Sequence, residues 1–343
     1  MHGAIGSSQE DSRPVRVNLN YADDSEPGIT RRRRGRHFAY YGPTDERIAN
    51  RDEIDRLHAV GMPPAYERCW FNPDPAGHIQ STGFDARGRK QYRYHPDFRA
   101  EREADKFSLC PQFGEALPAM RQRVDEALRS RSVSRERTLA ALVRLLDIGR
   151  VRVGNDAYAR ENGSFGASTL RMRHVRLEGG AIRLSYKGKS GQMRDMRVRD
   201  AGLLRFVRNM QDLPGQRLFQ YLDAEGERRE VGSSDVNAFI RETMGADFSA
   251  KHFRTWGGTL VGFEAWLASQ GEIGLKPALQ QVADALGNTP AISRKSYVHP
   301  SVLAALKATD SEVLLPARLP RSTRWLAREE RALIAFLRAH PAI

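Results

Sequence analysis

The chain has 343 residues, a length typical of two domains, and hydrophobic residues make up 40% of it, enough to form packed cores. Its 55 lysine and arginine residues outnumber its 42 acidic residues, so the net charge is +13 and nucleic acid is the first candidate partner. No apolar run approaches membrane-spanning length, the first residues lack a signal-peptide pattern, and Cys69 and Cys110 are too few for a disulfide framework or a cysteine zinc site. We therefore expect a cytoplasmic protein that contacts no membrane and holds no metal.

The composition divides the chain into three parts. Residues 1–28 are acidic, rich in Ser, Gly and Pro, and aperiodic, which predicts a disordered arm. Residues 29–111 mix aromatic and β-branched residues with turn formers and predict a small, mostly β domain. Residues 112–343 carry most of the excess positive charge and predict a larger, mainly helical domain. The expected fold class is α+β.

The first clear helix of the larger domain is flanked by its capping residues. Leu139, Leu142 and Leu146 repeat at helical spacing between Ser134, a favoured N-cap residue, and Gly149, a favoured terminator. Three more helices are predicted in the same way, one after Ser249, one over 275–286 that ends at Gly287, and one over 326–337.

One stretch of this domain alternates instead. Ile182, Leu184 and Tyr186 alternate with polar residues after the pair Gly179-Gly180, which predicts a hairpin with a two-glycine turn. A second glycine-rich turn, over 188–191, leads to Met196 and Val198 on a third strand. The prediction is a three-stranded antiparallel sheet with Lys189 at an exposed tip.

Motif patterns exclude several enzyme classes. Gly188-Lys189-Ser190 resembles the end of a phosphate-binding P-loop, but that motif requires a glycine where Arg183 stands. HExxH, GxSxG and calcium-loop patterns are absent, and the acidic residues do not cluster as a two-metal nuclease requires. We therefore expect neither a nucleotide triphosphatase nor a metal-dependent nuclease, and no cofactor. The candidates that remain for chemistry are three cations and a tyrosine: Arg152, Lys189, Arg254 and Tyr297.

At these residues the chain resembles the type IB DNA topoisomerases, in the compact form found in poxviruses and some bacteria. That family cuts one DNA strand with Arg, Lys, Arg, His and Tyr in this chain order. Arg152 in V-R-V-G-N-D-A-Y-A-R-E-N, Lys189 in Y-K-G-K and Arg254 in K-H-F-R-T match the first three. Tyr297 matches the nucleophile, whereas Asn288 stands nine residues before it, where the family usually has histidine. The resemblance covers roughly residues 30–310, including an amino-terminal β domain.

The resemblance implies relaxation of double-stranded DNA by a monomer without metal or ATP. Arg152 and Arg254 would offset the charge that develops on the phosphate, and Tyr297 would form a 3′-phosphotyrosyl link that conserves the bond energy. Lys189 would protonate the leaving 5′ oxygen, while Asn288 can donate a hydrogen bond but no proton.

Further positions are expected to contact DNA by the same resemblance. Gln91, Tyr92 and Tyr94 correspond to groove-facing residues, although their alternation also fits any half-buried strand. Tyr158 and Lys251 are expected to contact phosphates. The arginine run at 31–36 fits a flexible charged segment that adds non-specific DNA affinity.

Two other functions stay open from the sequence. A tyrosine recombinase shares the nucleophile and the arginine pair, but recombinases typically carry His-x-x-Arg where this chain has Lys251-His-Phe-Arg254, and their amino-terminal domain is helical. A non-catalytic DNA-binding protein would explain the charge but has no use for Lys189 and Tyr297 together. A covalent adduct with DNA and relaxation without recombination products distinguish the three.

Overall fold

A computed structural model describes residues 19–35, 37–86, 88, 90–99, 107–211, 213, 215–245, 247–308 and 318–341 of the chain. The chain forms two compact units, Met1–Glu103 and Ala104–Ile343, whereas the sequence placed the division between residues 111 and 112. The difference arises because Cys110 already packs in the core of the second unit, in a helix with Pro111 in its first turn. Within the described residues, no helix is both long and apolar enough to cross a membrane.

The first unit is built on a five-stranded antiparallel sheet. Its elements are β1 (Ile29–Arg34), β2 (His37–Tyr41), α1 (Arg51–Ala59), β3 (Glu67–Phe71), β4 (Ile79–Phe84) and β5 (Lys90–Tyr94). The strand order in the sheet is β2-β1-β3-β4-β5, and the core of the unit contains Ile29, Tyr40, Leu57 and Phe71.

The amino-terminal segment differs in part from the predicted disordered arm. Residues 1–18 lie outside the described residues, but the segment 19–28 makes hydrogen bonds with later residues of the first unit. The Asn20 amide donates to the Ala76 carbonyl at 3.0 Å, and the Trp70 indole donates to the Glu26 carbonyl at 2.9 Å. These are contacts between distant parts of the chain, which local composition does not reveal.

The arginine run also differs from the predicted flexible segment. Residues 31–34 form most of strand β1, which pairs with β2, and Arg36 lies outside the described residues. The Arg31 guanidinium donates to the carbonyls of Met62 at 2.9 Å and Tyr66 at 3.1 Å. Carbonyl oxygens therefore hold the first of these arginines in the fold.

The second unit is mainly helical, and with the first unit it confirms the predicted α+β class. Its helices are α2 (Cys110–Arg129), α3 (Arg135–Gly149), α4 (Asp156–Asn162), α5 (Ala201–Gln211), α6 (Ser233–Met244), α7 (Ala250–Ala268), α8 (Leu275–Leu286), α9 (Pro290–Ser296), α10 (Pro300–Ala305) and α11 (Arg328–Ala339). Its strands are β6 (Val175–Glu178), β7 (Ala181–Lys187), β8 (Met193–Val198), β9 (Gln220–Leu222) and β10 (Arg228–Glu230). Helix α2 packs against α3, α6 and α11, and α7 packs against α3, α8 and α11.

The predicted helix signals and the predicted three-stranded sheet are confirmed. Ser134 caps α3, with its hydroxyl accepting from the Arg137 amide at 3.3 Å, and α8 ends at Gly287. Strands β6, β7 and β8 form an antiparallel sheet in this order, and Lys189 lies at the exposed turn between β7 and β8.

Candidate active site

Arg152 lies in the loop that follows α3. Arg150, the C-cap residue of that helix, adopts a left-handed conformation with φ of 51°, which turns the chain away from the helix axis. The Arg152 carbonyl then accepts from the Ala167 amide at 2.8 Å. Gly166 permits this approach, because a Cβ there would lie 2.7 Å from the same carbonyl oxygen. The backbone of Arg152 is therefore fixed on both sides.

Arg254 lies in the first half of α7 and has 3% of its surface exposed. Its Nη1 donates to the carbonyl of Arg150, and its Nη2 donates to the carbonyl of Leu286 at 3.2 Å. Burial lowers the pKa of this guanidinium to about 10, so it keeps its charge at neutral pH. The site thus contains a buried cation that backbone carbonyls hold in place.

Asn288 and Tyr297 lie at opposite ends of helix α9. Helix α8 ends at Gly287, whose φ of 60° reverses the chain into Asn288. Thr289 caps α9 with its side chain, and Tyr297 is the C-cap residue, whose amide donates to the Ser293 carbonyl at 3.0 Å. One short helix therefore sets the spacing of the two predicted site residues.

The side chains of these four residues meet. Arg152 Nη1 donates to the phenolic oxygen of Tyr297 at 2.9 Å, and Arg152 Nη2 donates to Asn288 Oδ1 at 2.7 Å. The guanidinium carbon of Arg254 lies 4.8 Å from the centroid of the Tyr297 ring. Residues predicted from separate motifs, up to 145 positions apart, are thus in direct contact.

The electrostatic environment favours the ionised form of Tyr297. Burial alone would raise the pKa of its phenol, because the ring has only 7% of its surface exposed. The positive charges of Arg254 and Arg152, together with their hydrogen bonds, outweigh burial and hold the pKa below its ordinary value of 10.0. The two arginines therefore favour the phenolate form of this tyrosine over the neutral phenol.

Lys189, the fifth predicted residue, lies on the turn between β7 and β8. A short 3-10 helix, Lys189–Gly191, forms this turn, and the Gly188 amide closes it by donating to the Gln192 carbonyl at 2.7 Å. Lys189 is exposed, and together with Arg152 and Arg254 it lines one open cleft. Three of the predicted cations therefore face one cleft.

The residues predicted to contact DNA occupy several places. In the first unit, Tyr92 and Tyr94 are 39% and 37% exposed on β5 and stack at 5.9 Å, while Gln91 donates to Asp85 at 3.2 Å. In the second unit, Lys251 is exposed in the first turn of α7, three residues before Arg254. Tyr158 belongs to α4, but its side chain lies outside the described residues.

Sequence reasoning missed two residues that contact this region. Thr259 is fully buried in α7, and its hydroxyl donates to the Tyr297 carbonyl at 3.2 Å. Arg194 on β8 lines the cleft beside Lys189. The sequence contained a signal for Arg194, because positions 194, 196 and 198 alternate along β8 and so lie on the same face of the sheet. Met196 and Val198 mark that face as the inner one.

A tyrosine that contacts two arginines, both of which line a cationic cleft, is suited to an enzyme that breaks phosphodiester bonds through a covalent intermediate. The family described as "Eukaryotic DNA topoisomerase I, catalytic core" matches residues 95–313, and that described as "Bacterial DNA topoisomerase IB, N-terminal domain" matches residues 37–85. The chain therefore belongs to the type IB DNA topoisomerase family, as its motifs predicted, and is a DNA topoisomerase.

Individual relatives agree with this assignment. DNA topoisomerase 1B of Acanthamoeba polyphaga mimivirus is 32% identical over 285 residues, which cover 79% of this chain and 85% of that protein. DNA topoisomerase 1B of vaccinia virus is 21% identical over 245 residues, which cover 71% of this chain and 76% of that protein. Among solved structures, the XerH site-specific recombinase in a post-cleavage complex is 16% identical, with a TM-score of 0.37 over 53% of this chain and 47% of that one. That structural likeness is too weak to bear on function.

Proposed function

We propose that the chain relaxes supercoiled DNA by cutting and resealing one strand, with Tyr297 as the nucleophile. The observation that carries this proposal is the 2.9 Å hydrogen bond from Arg152 to the phenolic oxygen, beneath the guanidinium of Arg254. The two cations favour the ionised form of the phenol, which is the form that would attack phosphorus.

Cleavage would be a transesterification in which no bond energy is lost. The Tyr297 oxygen forms a bond to phosphorus as the bond from phosphorus to the 5′ oxygen breaks, and the phenolic proton passes to water. Reversal by the freed 5′ hydroxyl restores the diester and releases the tyrosine. Because the 3′-phosphotyrosyl link stores the energy of the broken bond, resealing would require no ATP.

Arg152, Arg254 and Asn288 would bind the non-bridging oxygens of the scissile phosphate. Arg254 Nε and Asn288 Nδ2 are buried nitrogen donors that have no hydrogen-bond partner in the described part of the chain. Buried donors of this kind are costly unless a ligand satisfies them. Phosphate oxygens would do so, and their negative charge increases as the reaction proceeds.

Lys189 would act as the general acid. The 5′ oxygen is far more basic than the phenolate, so it needs a proton as it leaves. Lys189 is exposed at the tip of its turn and lines the same cleft as the two arginines. Its ammonium group would give that proton to the 5′ oxygen and regain one from solvent.

The proposed partner is double-stranded DNA at the nucleoid, bound by a monomer, because all five proposed site residues come from one chain. Tyr92, Tyr94 and Gln91 in the 29–111 domain would contact DNA, and Tyr158 and Lys251 would contact phosphates beside the site. Each phosphate neutralised contributes about −0.9 to the slope of log K against log salt, so Lys251→Ala should reduce that slope by about one unit.

Trapping with sodium dodecyl sulfate on supercoiled plasmid tests the proposal. The wild-type chain should form a covalent adduct and relax positive and negative supercoils in EDTA without ATP. Tyr297→Phe removes one oxygen and keeps the ring, so DNA affinity should persist while both activities disappear. An adduct formed by Tyr297→Phe, a strict need for a divalent ion in cleavage, or recombined products in place of relaxed plasmid would overturn the proposal.

A further inference from the structure

We infer that Arg194 is a positioning residue that fixes the Lys189 turn against the carboxyl end of α8 and the residues 287–289 that follow it, here called the Asn288 loop. The inference rests on the proposed role of Lys189 as the general acid. Arg194 lies on β8, five residues after Lys189, on the strand that continues from the same turn. It pairs in register with Tyr186, a buried residue of β7. Its side chain is therefore close to the hairpin tip and on the inner face of the sheet.

Arg194 crosses from the sheet to the carboxyl end of helix α8. Its Nη2 lies 3.3 Å from the Ala285 carbonyl oxygen, and its Nη1 lies 3.5 Å from the Asp284 carbonyl oxygen. The last carbonyls of a helix have no partner within the helix and carry partial negative charge, so a forked cation is well suited to bind two of them at once.

Three arginines together hold the end of α8 and the residues that follow it. Arg194 binds the carbonyls of Asp284 and Ala285, Arg254 binds that of Leu286, and Arg152 binds the side chain of Asn288. Arg152 and Arg254 are proposed to contact phosphate. Arg194 instead attaches β8, the strand that follows the Lys189 turn, to the end of α8. The hairpin and the Asn288 loop are thereby joined by one side chain.

Gly287 shows how closely Arg194 approaches. A Cβ at this position would overlap the Arg194 guanidinium, and the φ of 60° there already favours glycine. Glycine is therefore favoured at position 287 for two reasons, the close approach of Arg194 and the chain reversal after α8.

The consequence concerns where the Lys189 ammonium group lies during cleavage. A β-hairpin that projects beyond its sheet can pivot, and a displacement of about 1 Å in a reacting group can cost about 100-fold in rate. The Arg194 contact would restrain that pivot close to the tip. Loss of Arg194 should therefore impair proton transfer from Lys189 while leaving the attack by Tyr297 intact.

The test measures single-turnover cleavage of two DNA substrates, one normal and one with sulfur in place of the 5′ bridging oxygen. Sulfur leaves without a proton, so it bypasses the general acid. The Arg194→Met variant should cleave the normal substrate about 10- to 100-fold more slowly than the wild-type chain. Its rate on the sulfur substrate should be within about 3-fold of the wild-type rate. Arg194→Lys keeps the charge but lacks the fork that spans two carbonyls, so it should show a smaller loss with the same rescue.

Two reference variants complete the design. Arg197→Met removes a charge from the same strand, where the side chain binds the Glu178 carbonyl at 3.2 Å, and it should cleave both substrates at the wild-type rate. Lys189→Ala should be slow on the normal substrate and restored by sulfur.

Each outcome separates the inference from the proposed function. Arg194 does not position the acid if the sulfur substrate restores the cleavage rate of Lys189→Ala but of neither Arg194 variant. The same conclusion follows if the Arg194 variants cleave normal DNA at the wild-type rate. If sulfur fails to restore Lys189→Ala, the proposed role of Lys189 is wrong and the inference fails with it. Thermal unfolding of both Arg194 variants checks that they fold, and Arg194→Lys provides the test if Arg194→Met does not.

Discussion

The hydroxyl of Thr259 donates to the carbonyl of Tyr297 at 3.2 Å, and the hydroxyl oxygen of Thr259 accepts from the His299 amide at 3.1 Å. Thr259 is fully buried in α7, five residues after Arg254. At the preceding residue, Gly258, a Cβ would lie 2.8 Å from the Tyr297 carbonyl oxygen, so the backbone of the tyrosine lies directly on the helix. One helix therefore positions both the tyrosine and a cation that lowers its pKa.

Thr259→Val preserves the shape of this side chain and removes both hydrogen bonds. The buried His299 amide and Tyr297 carbonyl then lose a partner, which should lower the free energy of unfolding by about 1–3 kcal/mol. Because the Tyr297 backbone is less restrained, single-turnover cleavage should also slow while DNA affinity stays unchanged. Urea unfolding and adduct formation on a cleavable duplex measure the two effects.

Thr255→Val is the matched control for this prediction. Thr255 lies one turn earlier in α7, is equally buried, and its hydroxyl bonds only weakly, at 3.5 Å, to the Lys251 carbonyl of its own helix. We expect it to cleave DNA at close to the wild-type rate. Equal cleavage by the two variants would show that the Thr259 contact does not position the tyrosine.

His299 should make the tyrosine segment sensitive to acid. Burial lowers the pKa of this imidazole from 6.5 to about 4, and its ring also caps α10 by accepting from the Ser301 amide at 3.2 Å. Between these two pKa values the unfolded chain binds a proton that the folded chain does not. The stabilisation from His299 is therefore complete above pH 6.5 and is lost as the pH falls from 6.5 toward about 4.

His299→Asn keeps a side-chain acceptor for the cap and removes the titrating group. Its free energy of unfolding should decline less steeply between pH 6.5 and 4 than that of the wild-type chain. His174, whose pKa burial also lowers to about 4, is present in both proteins and cancels in the comparison. Parallel stability curves for the two proteins would contradict the assignment of this acid sensitivity to His299.

Much of the fold could be predicted because its signals are local. Ser134 caps α3, Gly287 ends α8, and the pair Gly179-Gly180 connects two strands, each as the sequence indicated. The motif resemblance brought together Arg152 and Tyr297, which no local pattern could place in contact. Local capping and turn chemistry thus account for the elements, and the resemblance accounts for the candidate site.

The remaining contacts could not be predicted because their partners are distant backbone groups. Arg194 binds carbonyls about 90 residues away, and Arg31 binds carbonyls more than 30 residues away. A carbonyl oxygen belongs to every residue and carries no sequence signal, so a run of arginines looks the same whether it is solvated or held by carbonyls. The parity of Arg194 with Met196 and Val198 was the only local indication.

Asn288 should act as a neutral hydrogen-bond donor. Its Oδ1 accepts from Arg152, which directs the amide nitrogen away from the guanidinium. Asn288→Ala should slow cleavage by about 1–3 kcal/mol of activation free energy, the scale of one lost donor. Asn288→His should be tolerated, and it should introduce a titration near pH 6.5 that the wild-type rate lacks at this position. An Asn288→Ala variant with the full cleavage rate would remove Asn288 from the site.

The pKa of Tyr297 should depend on both arginines, and Arg152→Met tests this dependence. Burial alone raises the pKa of the phenol, and the wild-type value lies below 10.0 only because the two charges outweigh burial. Removing the charge and hydrogen bond of Arg152 should therefore shift tyrosinate formation to higher pH.

Ultraviolet difference titration measures this shift when each protein is compared with its counterpart carrying Tyr297→Phe, which cancels the other tyrosines. In Arg152→Met, less of Tyr297 is phenolate at any given pH than in the wild-type chain. The rate of adduct formation by this variant should therefore continue to rise with pH beyond the point where the wild-type rate levels off. An unchanged phenol titration in Arg152→Met would mean that the 2.9 Å contact does not activate the nucleophile.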